Sequence, residues 1–153
     1  MLTGGQVGQT AAKTRTAPSP SFRTVLIADD DPLARTILAN YFASLQTERI
    51  DQAADGQKAI ATLRQNGGAY DLVVTDLNMP NADGVQFIGA LHEHQFKGEV
   101  LIASGEARNV LETAGELARL HELRILGQIP KPLNKQKLDE VLVNSQPIAG
   151  LRT

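Results

Sequence analysis

Short apolar runs alternate with longer amphipathic ones five times between Arg23 and Asn144, and this alternation restricts the fold more than any other feature. The runs are Thr24-Val25-Leu26-Ile27-Ala28, Leu72-Val73-Val74-Thr75, Val100-Leu101-Ile102-Ala103 and Ile125-Leu126-Gly127-Gln128-Ile129, with a weaker one over Arg49 to Ala53. Continuous β-branched runs of this length suit strands buried on both faces of a parallel sheet. Helical patterns lie between them: Pro32 to Gln46, with Leu33, Ile37, Leu38, Phe42 and Leu45 on one stripe, then Gln57 to Gln65, Val85 to His94, Arg108 to His121 and Lys135 to Asn144. Such alternation implies right-handed βαβ crossovers, and so an α/β sheet with helices on both faces.

In the flavodoxin-like (βα)5 version of this doubly wound fold the strand order is 2-1-3-4-5, and the ligand site lies at the carboxyl ends of strands 1 and 3, where the order reverses. Strand 1 ends in Asp29-Asp30-Asp31 and strand 3 in Asp76, so carboxylates distant in sequence meet at one rim. Clustered carboxylates raise one another's pKa unless a cation neutralises them, and hard oxygen ligands of this kind suit Mg²⁺. A carboxylate beside magnesium can attack phosphorus, provided other groups neutralise the oxygens of the transferred group. Ser104 closes strand 4 and offers a hydroxyl; Lys131 follows strand 5 and offers a long cationic arm.

Residues 1–22 are rich in Gly, Gln, Thr, Ala, Ser and Pro, which predicts a flexible tail before a single domain over residues 23–145, with a short tail at 146–153. The 42% hydrophobic content supports a core without staples. With 17 acidic and 15 basic residues the charge gives no reason to expect nucleic acid or a membrane surface as partner. The absence of cysteine excludes thiolate chemistry, and no apolar stretch approaches the ~20 residues of a spanning helix, so the expected location is cytoplasmic.

The segments VLIADDDP, YDLVVTDLNMPNADG and LIASGEA and the pair Lys131-Pro132 in IPKPL resemble, in this order, the response-regulator receiver domain of two-component signalling. The resemblance runs from about Val25 to about Val143. It implies Asp76 as phosphoacceptor, Asp29 and Asp30 as the acidic pair, and a metal ligand from the main-chain carbonyl of Asn78. It also implies Ser104 at the switch position, Lys131 on the phosphoryl group, a cis bond before Pro132, and Gly84 in the turn into helix 3. Asn78 and Glu106 stand where the family tunes hydrolysis of the acyl phosphate. The implied partners are a sensor histidine kinase or phosphotransfer protein, and a downstream protein on the surface of helix 4, strand 5 and helix 5; the implied role is that of a switch, not an enzyme with a separate substrate. Gln128 stands where many receivers carry a Tyr or Phe, which puts an aromatic ring-rotation readout in doubt. The run LRILGQIPKPL, with a Leu- and Ala-rich fourth helix, resembles receivers attached to EAL-type cyclic-dinucleotide phosphodiesterase domains.

Plainer readings apply to single residues. Asp31 before Pro32 is an N-cap with proline at the first helical position. Ser104 alone is a helix cap and Lys131 alone a surface lysine; their position at strand ends reverses that preference. His92 and His94 lie two apart on a helix and face different directions, so a shared metal is not expected. Two other functions fit parts of the pattern. A HAD-like phosphatase would use Asp29 as nucleophile and Asp31 as acid, but Leu33 stands where its threonine belongs and Asp76 would be idle. A pseudo-receiver would keep the fold and signal by binding alone.

Overall fold

The computed structural model describes residues 22–79, 81, 84–105 and 122–142. Five parallel strands, β1 (Thr24–Ala28), β2 (Arg49–Ala53), β3 (Leu72–Thr75), β4 (Glu99–Ser104) and β5 (Arg124–Pro130), form one sheet in the order β2-β1-β3-β4-β5. This is the flavodoxin-like 2-1-3-4-5 order expected from the alternation. Three helices, α1 (Pro32–Ser44), α2 (Gly56–Gln65) and α3 (Gly84–Glu93), and a last helix over residues 135–142 cover the sheet. The predicted fourth helix, Arg108 to His121, and both tails lie outside the described residues.

Because successive strand residues point to opposite faces, each buried strand feeds two cores. Val25, Ile27, Leu72, Val74, Leu101 and Ala103 pack with Leu38 and Phe42 of α1 and Leu138 and Leu142 of the last helix. Leu26, Ala28, Val73, Val100 and Ile102 pack on the other side with Leu63 of α2 and Phe87, Ile88 and Leu91 of α3. A strand buried on both faces has no solvated side, which is why β1 and β3 carry no alternating polar residues.

Caps set where the helices begin. Asp31, with φ −91°, accepts a hydrogen bond from the Leu33 amide at 3.0 Å ahead of Pro32, the N-cap expected from sequence. Asp55 does the same for α2 through the Lys58 amide at 2.8 Å, and that bond holds its carboxyl below the usual range. All three helices end alike. Gln46, Gly67 and Gln95 adopt left-handed φ of 66°, 62° and 53°, and the next amide in each case, of Thr47, Gly68 and Phe96, bonds back to the carbonyl of Phe42, Leu63 or Leu91. This is the six-to-one closure of a Schellman turn. In α1 it stops the helix at Ser44, although Leu45 still packs on the core and so prolonged the apolar period to Gln46.

Candidate functional site: an acidic pocket at the switch point

The first link of the site is the turn after β1. Asp29, only 1% exposed, follows four fully buried residues, and its amide bonds to the Ala53 carbonyl of β2 at 3.1 Å. Its Oδ1 accepts the Asp31 amide at 2.9 Å, and its carbonyl accepts the Arg35 guanidinium at 2.7 Å. The turn is therefore fixed from inside by a carboxylate and from outside by a helix arginine.

Asp76 is supplied by the neighbouring strand, β3. It is 5% exposed; its amide bonds to the Ala28 carbonyl at 2.9 Å and its Oδ1 accepts the Asn78 amide at 2.9 Å. The Thr75 hydroxyl, fully buried, donates to the Asp76 carbonyl at 2.9 Å. Gly84 packs against this turn: a Cβ there would lie 2.4 Å from the Asp76 carbonyl oxygen and 2.4 Å from the Leu77 Cα. Glycine is needed because backbone approaches it closely; its φ is not in the left-handed region, so close approach rather than turning freedom explains the residue.

Lys131 enters from the end of β5, its amide tied to the Ser104 carbonyl at 3.2 Å, and the Lys131–Pro132 bond is cis as the resemblance implied. Its Nζ lies 2.8 Å from Asp76 Oδ2, 2.9 Å from Asp29 Oδ2 and 3.1 Å from Asp29 Oδ1. Burial opposes charge on this lysine, but the hydrogen bonds and proximity of Asp76 and Asp29 outweigh it and raise its pKa. Burial also dominates at Asp29, lifting its pKa above the ordinary carboxylate value in spite of Lys131 and the Asp31 amide, with the charge of Asp76 adding to the rise.

The pocket is thus short of positive charge. Asp29, Asp30 and Asp76 bring one carboxylate oxygen each within 4.8 Å of one another, and among the described residues the Lys131 ammonium pairs with Asp29 and Asp76 alone. Asp29 Oδ2 is buried and, although 2.9 Å from Lys131 Nζ, receives no hydrogen bond of acceptable direction. A buried anionic oxygen left without a directed donor beside two more carboxylates fits a small divalent cation with oxygen ligands. Among the described residues this is the only group of His, Cys, Asp and Glu side chains placed to hold one.

The structure brings together Asp29, Asp30, Asp76 and Lys131, places Asn78 on the same turn, and closes the rim with Ser104, which is 1% exposed. Asp31 turns away to cap α1. Gln128 is exposed on β5, while its neighbour Ile129 is in the core. Glu106 and His121 lie outside the described residues. Arg35 was not foreseen: it reads as an ordinary helix cation, and only its position four residues after Asp31 on the capped helix hints that it could reach back over the turn.

Fold and site together define a doubly wound α/β domain with an acidic, lysine-bridged pocket at its switch point. The model of the response regulator receiver domain matches residues 25–143, and the chain belongs to that family. It is 32% identical over 128 residues to the sensor histidine kinase RcsC of Salmonella typhi, covering 84% of this chain and 13% of that one. It is 29% identical over 121 residues to the cyclic di-GMP phosphodiesterase RocR of Pseudomonas aeruginosa, covering 77% and 30%. The chain therefore spans less than a third of either relative. Among solved structures, a CheX-CheY-BeF3-Mg complex from Borrelia burgdorferi superposes with a TM-score of 0.69 at 24% identity, covering 79% of this chain and 87% of that one, which supports the fold. Among the described residues no helix is long and apolar enough to cross a membrane.

Proposed function

We propose that this receiver domain takes a phosphoryl group onto Asp76 from a phosphohistidine of a sensor kinase or phosphotransfer protein, with Mg²⁺ held by Asp29, Asp30, Asp76 and the main-chain carbonyl of Asn78. The observation that carries this reading is the Lys131 ammonium set between Asp29 and Asp76 in a pocket that still lacks positive charge. One Asp76 carboxylate oxygen forms the new bond to phosphorus while the bond from phosphorus to the imidazole nitrogen breaks. The imidazole leaves with the bonding pair and takes a proton from water. Magnesium, when bound, supplies positive charge against the phosphoryl oxygens. Lys131 moves its hydrogen bond from Asp76 Oδ2 to one of those oxygens, and the Asn78 amide keeps the carboxyl group oriented throughout.

The dianion then draws the Ser104 hydroxyl inward and biases the helix 4, strand 5 and helix 5 surface, where a downstream protein docks. With Gln128 exposed at the usual aromatic position, the readout runs through Ser104 without ring rotation. Water attack at phosphorus releases inorganic phosphate and restores Asp76, with Asn78 and Glu106 setting the lifetime. The domain turns over no separate substrate, and it works in the cytoplasm, where its donor is made.

Intact mass spectrometry after incubation with acetyl phosphate and Mg²⁺ tests the reading. The protein should gain one phosphoryl group, Asp76→Asn should gain none, and Asp31→Asn should gain one. Uptake that survives in Asp76→Asn, steady turnover of a phosphomonoester, or no measurable magnesium affinity by calorimetry would each overturn it.

A further inference from the structure

On the face of the sheet that carries α1 and the last helix, two depressions of about 310 and 370 Å³ meet at Ile37. The upper one lies beside the acidic pocket, between Leu33, Ala34 and Ile37 of α1 and Pro132 and Leu133 after β5. The lower one continues along Tyr41, Ser44 and Leu138. Together they make one mostly apolar groove along the whole of α1. Leu33, at its upper end, is 65% exposed and is the one large apolar side chain left exposed among the described residues. Asp31 lines the same end. It caps α1 through the Leu33 amide, and no basic side chain pairs with it or with its exposed neighbour Asp30 among the described residues. Lys131 and Lys135 also line the groove, but each is already engaged by a carboxylate.

The chain enters the domain at the lower end of this groove. Phe22 packs edge-to-face on Phe42 of α1 with ring centroids 6.4 Å apart, and its carbonyl accepts the Thr47 hydroxyl at 3.0 Å. The segment of residues 1–21 is therefore joined to the domain beside the lower end of the groove. They contain Lys13 and Arg15, no acidic side chain, and the apolar residues Leu2 and Val7. Along α1 the distance from Phe42 to Asp31 is roughly 17 Å at the helical rise. Lys13 and Arg15, nine and seven residues before Phe22, reach roughly 30 and 23 Å if extended.

We propose that residues 1–21 dock back along this groove, Lys13 and Arg15 facing Asp30 and Asp31 and the apolar side chains covering Leu33. The segment lacks the composition to fold alone, but tethering gives it an effective concentration in the millimolar range, so an intrinsic dissociation constant of about 1 mM suffices for half occupancy. Docking of this kind covers the Lys131 side of the acidic pocket and leaves α2 and α3 untouched. It concerns the unphosphorylated protein in metal-free buffer, because Asp30 is also a ligand in the proposed magnesium site.

Because the chain has no cysteine, a single Thr10→Cys substitution in the full chain carries a nitroxide label without further change. Paramagnetic broadening of amide signals is then read over both faces. The expected result is a loss of more than half the intensity at Leu33, Ile37, Tyr41 and Leu138, little loss in α2 and α3, and recovery in Lys13→Glu/Arg15→Glu. Equal broadening on both faces, or none on α1, would overturn the proposal. So would broadening carried by labelled protein mixed with unlabelled, isotope-enriched protein, which would make the occupant a second copy.

Discussion

Two charged clusters sit at opposite rims of the same sheet, and they are satisfied to different degrees. At the amino-terminal rim Asp51 Oδ2 accepts the Tyr70 hydroxyl at 2.5 Å and the Arg49 guanidinium at 2.9 Å, while Asp71 accepts the main-chain amides of Arg23 and Thr24 at 2.7 and 3.3 Å. Glu48 pairs with Arg23 at the exposed edge, and Arg49 also lies 5.9 Å over the Tyr70 ring. Each carboxylate there has its donors. At the carboxyl-terminal rim three carboxylates gather, Lys131 pairs with two of them, Asp29 and Asp76, and a buried oxygen of Asp29 lacks a directed bond. A cluster that serves the fold alone closes its hydrogen bonds within the protein; one that receives a cation or a phosphoryl group leaves some open and loses stability for it.

Removing the Lys131 ammonium, which pairs with both buried acids of the open rim, should have the largest effect. Lys131→Met leaves Asp29 and Asp76 buried without a counter-charge, a loss expected to destabilise the domain by about 3 kcal/mol in metal-free buffer at neutral pH. The chain has no tryptophan, so urea unfolding followed by far-UV circular dichroism is the suitable measurement. Added Mg²⁺ should restore part of the loss, because a second cation can take over the charge. Equal stability of variant and parent without metal would show that Lys131 does not neutralise this pocket.

Neutralising the most buried acid should act in the opposite direction and less strongly. The folded-state pKa of Asp29 is raised, chiefly by burial, so the native protein holds that proton more tightly than the unfolded chain. The cost of ionising it is absent below the unfolded value of 3.8, grows as pH rises from there to the folded value, and is complete above it. Asp29→Asn keeps an acceptor for the Asp31 amide and removes the charge, so it should stabilise metal-free protein by about 1–2 kcal/mol at pH 7 and by nothing once pH falls below the ordinary carboxylate range. Its magnesium affinity should fall more than tenfold, so the order of stability of the two proteins reverses in excess Mg²⁺. Calorimetric titration together with pH-dependent unfolding checks both signs.

The difference between the rims also explains what the sequence discloses. β1 and β3 are legible to the residue because double burial leaves no other reading of VLIA or LVVT, and the acids that follow them are conspicuous because the runs end so abruptly. Even the weak edge strand β2 falls on the predicted residues. β5 is longer than predicted, since it is an edge strand whose pairing slips between Val100 and Leu101 and whose outer residues are partly exposed, which blurs its apolar pattern. The end of α1 was not legible because Gln46, not glycine, takes the left-handed turn. Arg35 and the Thr75 hydroxyl escaped notice for a related reason: both bond to main-chain carbonyls, and such bonds leave no pairwise signature in residue types. The closed cluster of Arg49, Asp51, Asn66 and Tyr70 was equally invisible, being assembled from β2, the end of α2 and the approach to β3.

That closed cluster supplies the smallest and most discriminating test. Tyr70 is buried, and the Asp51 carboxylate, after burial itself, helps raise its pKa, so its hydroxyl stays protonated and donating throughout the ordinary pH range. Tyr70→Phe removes that donor and the acceptor for the Asn66 amide while keeping the ring beneath Arg49. Two hydrogen bonds are lost, but Asp51 retains the Arg49 bond and the Asn66 amide its bond to the Thr62 carbonyl, so no group is left without a partner and the net loss should be about 1 kcal/mol by urea unfolding. Phosphoryl uptake and magnesium affinity should be unchanged, because β3 separates the two rims and, among the described residues, the carboxylates at the far end have no bond to this network. A Tyr70→Phe protein with weakened magnesium binding would mean that the strands transmit between rims, and the division into a closed structural cluster and an open functional one would fail.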